Sequence, residues 1–201
     1  MYDNYVKARD TSWEVLLRCG IKELPITLGT IADYYNFKVI AYSDTNITQV
    51  LKNEVVEGDG FIVFSKGKKE IFLNDKVNNR NRRRFTLAHE LGHGILNHNI
   101  DIVHYRNSEV DSDIDMQELE ANVFARDILM PSTILAALNI HTPEEIMKVC
   151  DVSRKSAEIR AARMELLYKR NLFNLHPMER KVREQFDKFI RNYRKNCRKN
   201  T

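Results

Sequence analysis

The pattern of hydrophobic and polar positions predicts a mainly helical protein with one short stretch of sheet. Apolar residues recur at helical spacing in some segments and form short strand-like runs in others. Predicted helices cover residues 11–19, 27–35, 82–98 and 115–130, and predicted strands cover 37–43, 60–65 and 69–74. Only "KGK" separates the last two strands, so we expect a hairpin there and an α+β fold with a small antiparallel sheet.

A second helical region is expected after Pro131, which ends the preceding helix. Thr142 and Glu145 have the spacing of a capping box, so a helix should begin just after Thr142. Ser153 is placed to cap the next helix, which should run to about Tyr168. The pair has the outline of a helix-turn-helix.

Positive charge is concentrated at the carboxyl end. The chain carries a net charge of +4, and residues 171–201 contribute nine Lys/Arg against three Asp/Glu, or +6, which leaves −2 for residues 1–170. Apolar residues at helical spacing predict an amphipathic helix in this tail, which either docks on the protein or binds nucleic acid or a partner. These residues are Val182, Phe186, Phe189, Ile190 and Tyr193. We therefore predict three regions, 1–135, 136–170 and 171–201.

Composition is ordinary for a globular protein, with 43% hydrophobic and 30% charged residues in 201. We find neither a signal-like start nor an apolar run of about 20 residues, the length needed to cross a bilayer. The three cysteines, Cys19, Cys150 and Cys197, are far apart and lack CxxC spacing, so we interpret them as reduced thiols. We expect a cytoplasmic protein with no membrane association.

The most informative motif is "HELGH", residues 89–93. On a helix, His93 lies only about 40° from His89, so the two side chains can bind one metal ion. The apolar residues of the segment lie on the opposite side and would anchor the helix, leaving the histidines to face a cleft. Glu90 borders the histidine face, where it can accept a proton from a metal-bound water. Two buried histidines without a metal are the alternative.

Zinc held by two histidines requires a third protein ligand. The zincin pattern HExxHxxGxxH is excluded, because Leu96 and Asn99 replace its glycine and its last histidine. His98 falls about 180° from His89 on a regular helix, so we expect it to be a helix-end or packing residue. The ligand should therefore come from the helix predicted over residues 115–130.

Glu120 is the predicted third ligand. It lies in the middle of an apolar arc of its helix, where a carboxylate is costly unless something neutralises it. Glu118 lies about 160° away on the polar side and is expected to be solvated. An ion pair between Glu120 and an arginine such as Arg84 is the alternative.

Two further roles are suggested by position alone. Asp127 follows Glu120 on the same stripe, so we predict that it orients a ligand histidine from outside the metal's coordination shell. His104 and Tyr105, in the predicted connecting loop, are weak candidates to stabilise an oxyanion, with surface-loop residues as the alternative.

Two segments resemble one known family. "RRFTLAHELGHGILNH" followed by "ELEANVFARDILMP" is similar to the ImmA/IrrE family of bacterial and phage metallopeptidases, and the likeness extends over roughly residues 25–168. Asp127 stands where the family commonly has Glu, and the tail beyond Asn171 lies outside the resemblance.

The resemblance implies a zincin-like, zinc-dependent cytoplasmic endopeptidase with one Zn²⁺ per chain. It matches His89, His93 and Glu120 to the ligands and Glu90 to the catalytic glutamate. Residues 1–135 would be the metallopeptidase domain. The family's usual substrates are helix-turn-helix repressors of phages, mobile elements or stress regulons.

A DNA-binding regulator or a metal-bound sensor remains the rival class. The second helix of the predicted helix-turn-helix offers four basic residues to a DNA groove. They are Arg154, Lys155, Arg160 and Arg163. Asp151 occupies the turn where glycine is usual, and Glu158 and Glu165 interrupt the basic face, so a structural or substrate-docking role is the preferred interpretation.

Overall fold

A computed structural model describes residues 2–46, 58–65, 67–98 and 112–199. The helices are α1 (Tyr2–Arg18), α2 (Leu28–Tyr34), α3 (Arg80–Leu96), α4 (Ser112–Leu129), α5 (Ser132–Leu138), α6 (Pro143–Cys150), α7 (Arg154–Lys169), α8 (Pro177–Gln185) and α9 (Asp187–Lys199). The strands are β1 (Phe37–Ala41), β2 (Gly60–Ser65) and β3 (Lys68–Leu73), and a 3₁₀ turn spans Tyr42–Asp44. The described architecture is mainly helical with a small sheet, as the sequence predicts.

The chain forms two compact units. The first unit contains residues 1–8 and 28–125, and the second unit contains residues 9–27 and 126–201. This division differs from the predicted boundaries at 135 and 170, since residues 9–27, residues 126–170 and the basic tail all belong to the second unit. Residues 116–138 have the length and composition of a membrane span, but 78% of their most apolar 18-residue stretch is buried inside the protein, as in a core helix.

The sheet is mixed rather than purely antiparallel. Strands β2 and β3 form the predicted hairpin, with Ile62 opposite Ile71. Strand β1 joins the other side of β3 in parallel register, which gives the order β1-β3-β2. The hairpin was recognisable from its short "KGK" connection, whereas a parallel neighbour pairs through a distant crossover that leaves no local signal.

Helix α3 packs on this sheet through a glycine. A Cβ atom added to Gly94 would lie 2.5 Å from the ring of Phe37 and 2.8 Å from the side chain of Ile62. The helix begins after Asn79, whose side chain accepts a hydrogen bond from the Arg82 backbone N–H at 3.0 Å. Close packing and capping therefore fix the helix that carries the HExxH motif.

The second unit contains the helix-turn-helix outline. Thr142 and Glu145 form the predicted capping box, and Ser153 caps α7. Asp151 ends α6 with a left-handed φ of 54°, so an aspartate adopts the conformation for which a glycine is usual. Arg160 on α7 is buried and pairs with Asp127 at 2.8 Å.

The basic tail forms two helices instead of one. Helix α8 ends at Gln185 and α9 begins at Asp187, with Phe186 fully buried between them. The Gln185 side chain donates hydrogen bonds to the backbone oxygens of Leu16 and Ile21, both in the second unit. The tail is therefore part of this unit's core.

Candidate metal centre

The two histidines of α3 point at a common centre. The Nε2 atoms of His89 and His93 lie 2.9 Å apart. This is the arrangement expected of residues four apart on one helix face. His93 is 2% exposed, and the side chain of His89 is 15% exposed, so the pair lies at the border between core and solvent.

Glu118 of α4 completes the cluster. One of its carboxylate oxygens lies 3.2 Å from Nε2 of His89, and the other lies 3.1 Å from Nε2 of His93. The nearest ligand atoms of these three residues all lie within 4.8 Å of one another. The Glu118 side chain is 31% exposed, which leaves the centre open on one side.

The structure places Glu118, and not the predicted Glu120, beside the histidine pair. Helices α3 and α4 approach at small residues: a Cβ on Gly92 would lie 3.3 Å from the backbone oxygen of Ala121. Glu118 comes three residues before Ala121, so it lies on the same face of α4. Glu120 points about 100° away from Ala121.

The apolar arc of α4 did not identify the side of the helix that faces His89 and His93, because most of the helix circumference is buried. Ala121, Val123, Phe124 and Ala125 are all at most 3% exposed, although they point in different directions. A metal ligand beside an open cleft also need not lie in the most apolar arc. The signal that would have identified Glu118 is the pair of small residues, Gly92 and Ala121, that marks the helix contact.

These residues fit a divalent metal ion. Two imidazole nitrogens and one carboxylate are a donor set that catalytic zinc sites use. Oε1 of Glu118 is buried and, within the described residues, makes no hydrogen bond of acceptable geometry, although it lies 3.1 Å from His93 Nε2. A buried carboxylate oxygen in that position is expected to have a partner, and a metal ion would supply it.

The electrostatics keep Glu118 anionic. Burial alone would raise the pKa of its carboxyl group, but contacts with His89 and His93 outweigh burial and lower the pKa to about 2. Burial is also the largest influence on His93, where it lowers the pKa. His93 and Glu118 thus have the forms that bind metals, a neutral imidazole and a carboxylate, whereas at His89 the contacts with Glu118 outweigh burial and raise the pKa.

Glu90 has the properties of a proton acceptor near neutral pH. It is 8% exposed, and burial raises its pKa to about 7, with His89 opposing and Glu118 adding to the shift. A general base is most effective when its pKa is close to the working pH. Its position directly after His89 keeps it at the edge of the cluster.

Glu120 lies at the other end of a buried chain of histidines. Nδ1 of His93 lies 3.0 Å from Nδ1 of His98, and Nε2 of His98 lies 3.0 Å from Oε2 of Glu120. Asn4 donates to Oε1 of Glu120 at 2.6 Å, and Lys7 donates to Oε2 at 3.3 Å. The alternative of an ion pair with an arginine is thus replaced by contacts with a histidine, an amide and a lysine.

His98 contacts His93 although helical phase put it on the opposite side. Helix α3 ends at Leu96, and Asn97 has left-handed backbone angles, φ 55° and ψ 44°. Phase along a regular helix does not apply beyond that point, because the backbone turns back on itself. This turn places the side chain of His98 beside the ring of His93.

Asp127 lies in a buried ion pair with two arginines. Its Oδ1 accepts from Arg160 at 2.8 Å and its Oδ2 accepts from Arg126 at 2.7 Å, so arginines occupy both oxygens. Burial favours the neutral acid, but these arginines outweigh it and lower the pKa of Asp127. Asp127 therefore lies on the buried face of α4 because it forms an ion pair, and the predicted hydrogen bond to a ligand histidine is replaced by these contacts.

His104 and Tyr105, the candidates to stabilise an oxyanion, lie outside the described residues.

Comparison with known proteins agrees with this chemistry. A family model for peptidase M78, described as an IrrE N-terminal-like domain, matches residues 37–162. The chain is also 30% identical over 106 residues to "Uncharacterized immunity region protein 2" of Bacillus phage phi105, which covers 53% of this chain and 60% of that protein. The chain thus spans about 60% of the length of this curated relative. Since the family model covers more than half of its residues, the chain belongs to the peptidase M78 family.

Proposed function

We propose that the protein is a zinc-dependent endopeptidase in which His89, His93 and Glu118 bind the metal and Glu90 is the general base. The observation that carries the proposal is the convergence of two Nε2 atoms and one carboxylate within 4.8 Å of one another. Membership of a peptidase family supports the same reaction class. With three ligands from the protein, a bound zinc could also take a water molecule.

The chain's own residues would divide the work between binding and proton transfer. When bound, zinc would supply a Lewis acid that polarises the scissile carbonyl and acidifies a water. Glu90 would accept the proton of that water as it attacks, and would then donate the proton to the leaving amine. A carboxyl group whose pKa is about 7 can do both near neutral pH.

We propose a helix-turn-helix repressor of a phage, mobile element or stress regulon as the substrate. The support is the likeness to an immunity region protein of a phage, together with the resemblance in the two motif helices. Strand β2 is an edge of the described sheet, so an extended substrate segment can pair with it. A repressor substrate and three cysteines that form no disulfide both fit a cytoplasmic location.

Operator binding by α6 and α7 is less well supported. Arg154 pairs with Glu144 at 2.8 Å, and Arg160 is 1% exposed in its ion pair with Asp127. These contacts occupy two of the basic residues that a DNA-reading helix would use. A mobility shift on duplex DNA that weakens steeply with salt would favour binding.

Replacement of Glu90 tests the proposed mechanism. Glu90→Gln should leave about one zinc per chain bound and reduce cleavage of a co-expressed helix-turn-helix repressor by roughly 10²–10⁴-fold, because the proton acceptor is lost. Zinc content by elemental analysis and cleavage by gel electrophoresis are the measurements. Glu23→Gln, at an exposed position between α1 and α2, is the matched control and should cleave like the wild type.

Two results would contradict the proposal. Wild-type protein that purifies without metal and ignores added zinc would remove its basis. Cleavage by Glu90→Gln at the rate of the control would show that another group accepts the proton.

A further inference from the structure

We propose that Glu120 and His98 are positioning residues for the metal centre, which hold the His93 ring in the tautomer that leaves its Nε2 lone pair free for the metal. The inference rests on the proposed function, since it takes His93 as a zinc ligand. It gives a role to two buried polar residues outside the proposed ligand set of His89, His93 and Glu118.

The geometry is an unbroken chain of two hydrogen bonds. The first joins Nδ1 of His93 to Nδ1 of His98 at 3.0 Å, and the second joins Nε2 of His98 to Oε2 of Glu120 at 3.0 Å. We call this the Glu120–His98–His93 chain. Each distance lies in the range of a good N–H hydrogen bond.

The carboxylate end determines where every proton of the chain lies. An ionised carboxylate only accepts hydrogen bonds, so Nε2 of His98 must carry a proton. A neutral His98 then has a lone pair on Nδ1 and can only accept from His93. In this chain His93 donates from Nδ1 and keeps a lone pair on Nε2, the nitrogen that lies 2.9 Å from Nε2 of His89 and 3.1 Å from Oε1 of Glu118. The tautomer of the metal-free protein therefore shows whether Glu120, acting through His98, outweighs the direct contact with Glu118. The opposite tautomer of His93 would protonate the nitrogen that faces the metal.

Helix α1 fixes the carboxylate in place. Asn4 donates to Oε1 of Glu120 at 2.6 Å, and Lys7 donates to Oε2 at 3.3 Å. Glu120 and His98 are 4% and 7% exposed, so water has little access to replace a lost partner. An outer carboxylate of this kind commonly orients a metal-binding histidine and raises its basicity.

The end of α3 brings His98 to His93. The backbone N–H groups of Asn97 and His98 both donate to the carbonyl oxygen of His93, the latter at 3.1 Å. This is the hydrogen-bond pattern of a helix that ends in a left-handed residue. Both the backbone N–H and the side chain of His98 therefore contact the same residue, His93.

The other histidine, His89, lacks a carboxylate-linked imidazole of this kind within the described part of the chain. Its ring hydrogen-bonds the side chain of Asn122, and its buried Nδ1 makes no hydrogen bond of acceptable geometry to a described residue. The Glu120–His98–His93 chain thus gives His93 a support that His89 does not share, although the HExxH motif contains both histidines as a pair. This asymmetry makes His93 the ligand whose tautomer is determined by the fold.

Two substitutions of His98 test the proposal in the full-length protein. His98→Phe keeps the ring shape but removes both hydrogen bonds, whereas the amide of His98→Gln can accept from His93 and donate to Glu120. Zinc affinity is measured by competition with a chelator. We expect His98→Phe to bind zinc roughly 10–100-fold more weakly than the wild type, and His98→Gln to recover most of that loss.

A second measurement needs no metal. Long-range ¹H–¹⁵N NMR of metal-free wild-type protein should show the His93 proton on Nδ1, and His98→Phe should lose that preference. Thermal unfolding of the metal-free variants reports separately whether the fold is retained. A change in packing alone would shift the melting temperature without selecting a tautomer.

The outcomes separate this proposal from the proposed function. Wild-type zinc affinity in His98→Phe, an Nε2 proton on His93 in the metal-free wild type, or equal losses in the two folded variants would overturn the positioning role. Absence of zinc binding in the wild type together with an Nδ1 proton on His93 would overturn the proposed function and support the hydrogen-bonded chain.

Discussion

Two glutamates that lie two residues apart on α4 have opposite surroundings. Glu118 faces two ring nitrogens from an open cleft, and its buried oxygen, Oε1, lacks a well-formed hydrogen bond among the described residues. Glu120 is 4% exposed and contacts His98, Asn4 and Lys7. A carboxylate whose buried oxygen lacks a hydrogen bond can bind a metal ion. A carboxylate whose oxygens both accept hydrogen bonds holds its neighbours in position.

Both carboxylates remain ionised for different reasons. Burial acts against the charge in each case, but His89 and His93 outweigh it at Glu118, while His98 is the first of several groups that outweigh it at Glu120. The pKa of each is therefore lowered. A lowered pKa identifies a stabilised anion, and only the surrounding geometry shows whether that anion is a ligand or a support.

The largest expected effect comes from replacing each of the two glutamates in turn by glutamine. Glu118→Gln should weaken zinc binding by more than about 100-fold, because a neutral amide replaces an anionic ligand, whereas Glu120→Gln should weaken it by roughly tenfold. Zinc competition assays on both variants, with melting temperatures as a control for folding, measure the difference. The comparison fails if Glu120→Gln is the variant that loses the metal.

A smaller effect is expected from separating α3 and α4. A Cβ on Gly92 would lie 3.0 Å from the ring of Phe124 and 3.3 Å from the Ala121 oxygen, so Gly92→Ala should move Glu118 away from the histidines. An overpacking cost of about 1 kcal/mol corresponds to roughly fivefold weaker zinc binding. Zinc affinity of the folded variant is the measurement.

Gly94→Ala is the matched control for that prediction. Its Cβ would press on Phe37 and Ile62, on the sheet side of α3, so it should lower the melting temperature more than Gly92→Ala does. Its folded fraction should bind zinc like the wild type. Equal zinc affinities in the two alanine variants would show that the α3–α4 spacing does not position Glu118.

The smallest expected effect is at Lys7. Its side chain is 57% exposed, and its 3.3 Å contact supplements Asn4 and His98 at a carboxylate that is already satisfied. Lys7→Met should change the free energy of unfolding by less than about 1 kcal/mol and leave zinc affinity nearly unchanged. Chemical denaturation and zinc competition measure both. A loss as large as that in Glu120→Gln would mean that Lys7 is essential to the support.

Local patterns predicted local structure well. Thr142 and Glu145 form the capping box that their spacing indicated, and the HExxH segment is helical as predicted. The hairpin of β2 and β3 is also confirmed. Each of these features depends on residues close together in sequence, for which spacing alone carries the physical cause.

Features that depend on tertiary packing were not predictable in the same way. Helical phase placed Glu120 on a buried face, which is correct, but could not show that the neighbour on that face is His98 instead of the metal centre. The parallel pairing of β1 with β3 and the break at Phe186 likewise depend on distant partners. A buried polar residue can be recognised from sequence, whereas its partner depends on how helices cross.

The left-handed conformation of Asn97 imposes a constraint on sequence that extends the HExxH motif. A histidine five residues after the second motif histidine can return to it only if the helix ends two residues before it and the residue between adopts a left-handed conformation, which asparagine and glycine tolerate and β-branched residues do not. The pattern HExxHxxx[N/G]H therefore encodes both a coordination pair and its supporting imidazole. Chains that carry valine or isoleucine before that histidine would need another device to orient the same ligand.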